Sequence, residues 1–334
     1  MKKGKALVLF SGGLDSLLAV KVLESQGIET AGICFSSNFF GAEKAQGIAK
    51  ANRVKLFVED FRKDILGLVK NPPHGLGKNM NPCIDCHATM FRRAREFAKE
   101  NGFDFLASGE VLGQRPFSQN KKALQEVAKT AGEDVLRPLS AKLLSETEAE
   151  KKGWVSREKL FDIRGRQRTR QLELAKELGI KKFEAPAGGC LLTDPGFSGR
   201  LEKALAEFPD FSIDDVDLLK HGRVFWVQLK KRPVLALIGR NSEDNEQLEK
   251  MAGKKDLIFV PKEIPGPSVL MRFFESKIDF SKKQVEVEIP EEKPKEGGDL
   301  EFEKPEKLIE NVLTLAGWYI PKARGGKIEF KMVD

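Results

Sequence analysis

Cysteine is scarce: the 334-residue chain has four, at positions 34, 83, 86 and 190. That is too few for the disulfide framework on which small secreted folds depend. Long apolar runs are absent too. No stretch approaches the roughly 18 uninterrupted apolar residues of a membrane-spanning helix. The start, Met1-Lys2-Lys3-Gly4-Lys5, is basic but runs at once into a short apolar stretch. A secretory signal has a longer apolar region and a small-residue cleavage site. The expectation is a cytoplasmic chain with no membrane partner. No internal repeat is found. Two familiar phosphate loops are also missing, since no Lys-Ser/Thr follows a second glycine and no Gly-x-Gly-x-x-Gly occurs.

What is present is a chain with ample core material, 40% hydrophobic residues, and a length that suggests two domains. The boundaries expected are 1–200, 201–289 for a smaller α+β domain, and 290–334 as linker and tail. Residues 290–306, rich in Pro, Glu, Lys and Gly, read as the linker. The net charge of +7 is uneven: residues 1–200 carry +10 and residues 201–334 carry −3. A large polyanion approaching the first half would explain this, and so would a solvated lysine-rich surface. A charged fraction of 32% would suit a heat-adapted protein.

The chain is organised around residues 6–16. Ala6-Leu7-Val8-Leu9-Phe10 reads as a buried strand of a parallel sheet. Ser11, Gly12 and Gly13 make a tight turn, and from Leu14 the apolar positions Leu14, Leu17, Leu18 and Val22 recur at helical spacing. A glycine-rich turn between strand and helix aims backbone N–H groups at one point, at the positive end of the helix dipole, and so suits phosphate. Strands expected at Ile28–Phe35, Val54–Val58 and Phe103–Ser108 alternate with helices at Gly41–Ala51, Ala88–Glu100 and Lys121–Thr130. The fold class is therefore a doubly wound, Rossmann-like parallel α/β sheet, whose ligands lie beyond the carboxyl ends of the strands. The segment Gly109–Gln119 leaves the end of a strand and faces the same crevice. In the second half, a strand pair at Arg223–Gln228 and Val234–Gly239, a helix at Glu243–Met251, a strand at Asp256–Val260 and a helix at Glu306–Gly317 are expected.

Cys34 sits on a buried strand and reads as a small core hydrophobe. Cys83, Cys86 and Cys190 stand on expected loops at strand ends. Cys83-x-x-Cys86-His87 matches a c-type haem attachment, but neither an export signal nor a haem-binding fold accompanies it. A structural zinc site would need His87 or His74 as fourth ligand. A redox dithiol would leave Cys190 unexplained. Three thiolates can instead hold three irons of a 4Fe–4S cube and leave the fourth iron open. Alternatively, Cys190 carries a persulfide and Cys86 releases its sulfur.

Ser11-Gly12-Gly13-Leu14-Asp15-Ser16 after a first strand resembles the PP-loop of the ATP pyrophosphatase superfamily. With Gly109–Gln119, Arg137-Pro138-Leu139 and the Gly-Gly-Cys190 turn, residues 5 to about 200 resemble the catalytic domain of tRNA sulfurtransferases. The likeness in Leu112-Gly113-Gln114 and Ser118-Gln119 is to 4-thiouridine synthetases. The paired cysteines with a distant third are similar to cluster-dependent thiolases of the superfamily. Arg240-Asn241 and Ile264–Arg272 are weakly similar to the RNA-binding domain of NFACT proteins. Two departures from that pattern are expected, since the loop already begins at residue 11: no N-terminal RNA-binding extension of the 4-thiouridine synthetase kind, and no rhodanese domain.

The resemblance implies an enzyme that adenylates a uridine carbonyl, with release of pyrophosphate, and then replaces the oxygen with sulfur. ATP would be held by Phe10, Ser11, Gly12, Gly13, Leu14, Asp15 and Ser16, with Asp15 orienting Mg²⁺. Asp15, Cys86 and Cys190 would be catalytic, Cys83, Cys86 and Cys190 would ligate a 4Fe–4S cluster, and Gln114, Ser118 and Gln119 would line the pocket. Arg164, Arg166, Arg168 and Arg170 would grip RNA phosphates. The partners implied are tRNA and a sulfur donor, either inorganic sulfide or a cysteine desulfurase, with a homodimer as one option for assembly. A 2-thiouridine-forming thiolase, a PP-loop amide ligase and a non-catalytic RNA-binding module are the alternatives.

Overall fold

A computed structural model of the protein describes residues 4–115, 118–132, 134–180, 182–183, 189–275, 278, 280–294 and 300–333. Pro116 and Phe117, Ala185–Gly188 of the expected Gly-Gly-Cys190 turn, and residues 295–299 of the expected linker lie outside the described residues. The chain divides into two compact units, 1–195 and 196–334.

The first unit is built on β1 (Lys5–Leu9), β2 (Glu29–Ser36), β3 (Leu56–Asp60), β4 (Phe105–Ser108) and β5 (Val135–Leu136). All pair in parallel in the order β3-β2-β1-β4-β5. The intervening helices are α1 (Leu14–Ser25), α2 (Glu43–Ala51), α3 (Arg62–Lys70), α4 (Cys83–Glu100), α5 (Lys121–Ala131), the short α6 (Glu148–Lys151) and α7 (Thr169–Glu177). Ala6, Leu7 and Val8 of the central strand have no exposed surface, as a parallel strand covered on both faces requires. The chain runs from β1 outward to β3 on one side, and β4 then returns to the other side of β1. That reversal opens a crevice at the carboxyl ends of β1 and β4.

One sequence expectation fails here. Cys83 and Cys86 form the first turn of α4, which begins five residues before Ala88. The Asp85 carboxylate accepts the backbone N–H of His74 at 3.0 Å and pairs with His74 Nδ1 at 2.6 Å, fastening the incoming 71–82 loop to the helix start. Apolar periodicity reports only the turns that face the core, and this turn does not.

The second unit carries α8 (Pro195–Glu207), α9 (Ile213–Val216), α10 (Ser242–Met251) and α11 (Pro305–Trp318) with β6 (Arg223–Leu229), β7 (Arg232–Ile238), β8 (Leu257–Pro261), β9 (Val269–Phe273), β10 (Gln284–Glu288), β11 (Leu300–Phe302) and β12 (Lys327–Val333). The sheet order among the described residues is β10-β12-β8-β9-β7-β6-β11. Residues 300–333, expected as linker and tail, are thus part of this domain: β12 lies between β10 and β8, and α11 buries Leu308, Ile309, Val312 and Leu313 in its core. The reason is that β12 alternates buried Ile328 and Phe330 with charged neighbours, so its composition reads as polar although one face is core. Arg272 is a core fixture, paired with Asp256 and Asp215. Among the described residues no helix is long and apolar enough to cross a membrane.

Candidate active site at the carboxyl edge of the parallel sheet

Phe10, buried, ends β1 and donates its N–H to Ile33 O at 2.8 Å. The chain then turns through Gly12 at φ +76°, where a Cβ would stand 2.7 Å from Ala45 Cα, so glycine is required both by the backbone and by the contact with α2. Gly13 is the N-cap of α1 and brings no side chain to it. The first N–H groups of α1 therefore face the crevice without a side-chain cap, a natural seat for an anion. Ser16 Oγ donates to Gly13 O at 2.8 Å and lies 3.4 Å from Ser11 Oγ, so both hydroxyls sit on the loop.

Asp15 follows in the first turn of α1. Its Oδ2 accepts from Gln114 Nε2 at 3.0 Å and from Arg168 Nη2 at 3.1 Å, while its Oδ1 is buried with no hydrogen-bond partner. Burial raises its carboxyl above the ordinary value, against the opposing pull of Arg168, of the side-chain amides of Gln114 and the fully buried Gln171, and of Arg115. A buried carboxylate with one vacant oxygen beside an anion seat has the chemistry to complete the shell of a divalent cation.

Gly109, directly after β4, packs on this turn so closely that a Cβ would lie 2.4 Å from the backbone of Asp15 and Ser16. The next residue, Glu110, is buried and bonded to Arg137 Nε at 2.9 Å, His87 Nδ1 at 3.1 Å and Ser108 Oγ at 3.2 Å. Burial alone would raise its pKa, but Arg137 and His87 together hold it at about 2. This network ties the strap after β4 to α4 and to the chain after β5.

The same strap carries the remaining candidates. Ser118 and Gln119 are buried, and the loop closes on itself through Gly113 N to Gln119 O at 2.7 Å and Gln119 N to Arg115 O at 2.9 Å. Arg115 lowers the pKa of both Asp15 and Cys83 by its charge. One guanidinium therefore lies within electrostatic reach of the phosphate loop and of the cysteines.

The three cysteines are brought together from two segments. Asn79 Nδ2 donates to Thr193 O at 2.7 Å, and Leu191 N donates to Phe39 O at 2.9 Å, which tie the Cys190 segment to the loop ahead of α4 and to the chain after β2. Burial raises the thiol pKa of all three, to about 11 for Cys190. For Cys86 the neighbouring Cys190 and Cys83 add to the rise, and Cys83 adds to that of Cys190. Among the described residues no three His, Cys, Asp or Glu side chains converge so as to hold a single metal ion. A cube ligated at separate corners asks for thiols spaced around it, and three neighbouring soft donors suit it by chemistry. Cys34 is a buried core residue of β2, as expected.

The arginine run divides. Arg168 turns to Asp15, Arg170 pairs with Glu173 and Glu177 on its own helix, and Arg164 and Arg166 are exposed with no acidic partner among the described residues. The sequence offered His87 only as a candidate zinc ligand, and Glu110, Arg115 and Arg137 only within the Gly109–Gln119 and Arg137–Leu139 motifs; nothing in it marked Glu110, His87 and Arg137 as one network.

An uncapped glycine turn after the central strand, with an acidic residue in the first helical turn, gives the first unit the strand–turn–helix corner of a nucleotide-binding α/β domain. A family model described as "Thiamine biosynthesis protein (ThiI)" matches residues 1–142. A tRNA-specific 2-thiouridylase of Campylobacter hominis is 31% identical over 116 residues, covering 31% of this chain and 31% of that protein. A probable tRNA sulfurtransferase of Methanocaldococcus jannaschii is 28% identical over 142 residues, covering 41% of this chain and 37% of that protein. The chain thus spans about a third of the length of these curated relatives. A solved 4-thiouridine synthetase–RNA complex with bound ATP is 23% identical, covers 65% of this chain and 52% of that one, and superposes with a TM-score of 0.37. The resemblance of the N-terminal domain to tRNA sulfurtransferases is borne out by the family model and the relatives.

Proposed function

We propose that the protein is a cytoplasmic, ATP-dependent tRNA sulfurtransferase that converts a uridine carbonyl to a thiocarbonyl, on the pattern of 4-thiouridine formation. The observation that carries this reading is the contact chain from the phosphate loop to the cysteine helix: Gly109 packs on the backbone of Asp15 and Ser16, and the adjoining Glu110 bonds His87, next to Cys86, which supports one crevice for adenylation and sulfur chemistry. ATP phosphates rest on the uncapped start of α1 and the hydroxyls of Ser11 and Ser16. The vacant Oδ1 of Asp15 takes Mg²⁺, whose charge offsets that building on the leaving pyrophosphate. The uridine oxygen attacks the α-phosphate, the bond to pyrophosphate breaks, and the resulting AMP ester is a far better leaving group than oxide. A sulfur nucleophile at Cys83, Cys86 and Cys190 then displaces AMP. These three thiols would hold a 4Fe–4S cluster, which when bound supplies an iron free of protein thiolate for inorganic sulfide. The target uridine leaves its stack to reach the crevice, and exposed Arg164 and Arg166 grip phosphates nearby.

The test uses anaerobically purified protein with tRNA, ATP, Mg²⁺ and sulfide, following pyrophosphate and thiouridine separately. Cys190→Ser should abolish thiouridine while pyrophosphate release persists. Full thiolation by that variant would sink the sulfur scheme. Iron and sulfide that disappear in Cys83, Cys86 or Cys190 variants would establish the cluster. A colourless, iron-free protein that thiolates only when a cysteine desulfurase with cysteine replaces sulfide would put a Cys190 persulfide in its place: the desulfurase delivers sulfane sulfur, and Cys86 releases the thiocarbonyl by closing a disulfide with Cys190, which a thiol reductant then reopens.

A further inference from the structure

At the edge of the second unit's core, two rings that pack against it carry a cluster of cations on their outer side. Trp318 and Tyr319, the chain's one tyrosine, sit half-buried at the end of α11 with ring centroids 5.5 Å apart and planes at 77°. Arg324 lies 4.2 Å over the Trp318 ring and Arg223 lies 3.9 Å over the Tyr319 ring. Lys293 approaches both rings, at 5.4 and 5.7 Å. The Nε of Arg324 donates to Trp318 O at 3.0 Å, and Trp318 Nε1 donates to Glu291 O at 3.2 Å, so both planes are held in place.

Charge agrees with a ligand of one kind. Residues 201–334 are net negative, yet three cations, Arg223, Lys293 and Arg324, lie over these two rings, whereas Lys327 is paired with Glu286 and Glu288 of β10 and is not part of the cluster. A local positive patch on an acidic unit, organised around flat surfaces, suits a flat and anionic partner. A guanidinium already stacked on a ring offers its outer face to a nucleobase and its N–H fork to a phosphate. Acidic peptides would use the cations but not the ordered planes.

We infer that Trp318, Tyr319, Arg223 and Arg324 form a base-stacking platform for unpaired RNA in the second unit. The inference rests on the tRNA reading for the identity of the nucleic acid but not on the adenylation chemistry, so its test measures binding alone.

Binding of the full-length protein to a short unstructured RNA and to a tRNA transcript would be measured across a range of salt. Trp318→Ala should weaken binding roughly tenfold or more, and Trp318→Phe should restore most of it, because a ring remains to stack on. Arg324→Ala and Arg223→Ala should each reduce the slope of log affinity against log salt by about 1 if that side chain also holds a phosphate. Thermal melting confirms folding. Should Trp318→Ala not fold, Trp318→Leu compared with Trp318→Phe gives the same contrast. A folded ring-free variant that binds RNA like the parent overturns the platform. So does a loss of affinity equal for RNA and an acidic peptide. Failure of thiolation with the ring dependence intact would instead sink the enzyme reading and leave the platform standing.

Discussion

Asp15 and Glu110 are both buried carboxylates at the same sheet edge, joined by the backbone contact of Gly109 on the first turn of α1. Yet burial raises Asp15, while Glu110 is held at about 2. Glu110 is bonded at both oxygens, by Arg137 and Ser108 on one and His87 on the other. Asp15 has short hydrogen bonds on one oxygen only, with the fully buried Gln171 amide as its further polar neighbour. The contrast separates a carboxylate that holds the fold from one left incomplete for a ligand, since a buried polar atom without a partner is destabilising unless something else completes it.

The sharpest break of this comparison is by activity. Asp15→Ala should remove metal-assisted pyrophosphate release, a loss of at least about a hundredfold on the scale of a catalytic electrostatic group, while the melting temperature changes little. Normal pyrophosphate release from that variant would remove Asp15 from the chemistry. Glu110→Gln should do the reverse in stability. It leaves Arg137, 6% exposed, without its counter-charge, and removing one partner of a buried pair costs about 3–5 kcal/mol. Denaturant unfolding would check it, and a cost below about 1 kcal/mol would mean that Glu110 is not the structural member.

The glycine contact between them gives a smaller step. Gly109→Ala should displace the first turn of α1 and destabilise by about 1–3 kcal/mol, because the atoms a Cβ would meet are backbone. Gly47→Ala, in the middle of α2 with nothing within 4 Å, should stabilise by up to about 1 kcal/mol. Equal effects of the two would mean that the strap and loop are not in firm contact.

The parallel half of the fold was legible because its central strands are buried on both faces and read as apolar runs; Ala6–Phe10 is the plainest. The PP-loop was legible because Gly12 and Asp15 follow from local turn chemistry. The start of α4 was not, since its first turn points Cys83 and Cys86 to the site rather than to the core. Neither was β12, whose charged alternate residues hide Ile328 and Phe330. Glu110 and Arg137 stand 27 residues apart, and their pairing is made only when β4 and β5 come side by side. Arg168 looked like one of four equivalent cations. Only the fold brings it, 153 residues along the chain, to Asp15.

The mildest test of the comparison is titration of stability. Glu110 has a lowered pKa, so its contribution is present above the unfolded value and should be lost as pH falls from about 4.5 through about 2. Asp15 has a raised pKa, so the folded chain binds its proton more readily than the unfolded one. Its charge therefore opposes folding once the pH exceeds the folded value, and acidification relieves that penalty. Asp15→Asn keeps the shape and removes the charge, leaving a partly exposed Arg168 that water can solvate. At neutral pH it should raise the melting temperature by no more than about 2–4 °C, the shift that about 1 kcal/mol gives in a domain of this size. Mg²⁺ with ATP should stabilise the parent protein and leave Asp15→Asn nearly unmoved, because ligand linkage acts only through a site that binds. A parent protein destabilised by the substitution, or a variant stabilised equally by Mg²⁺ and ATP, would mean that Asp15 is satisfied within the fold and that the two carboxylates do not differ in kind.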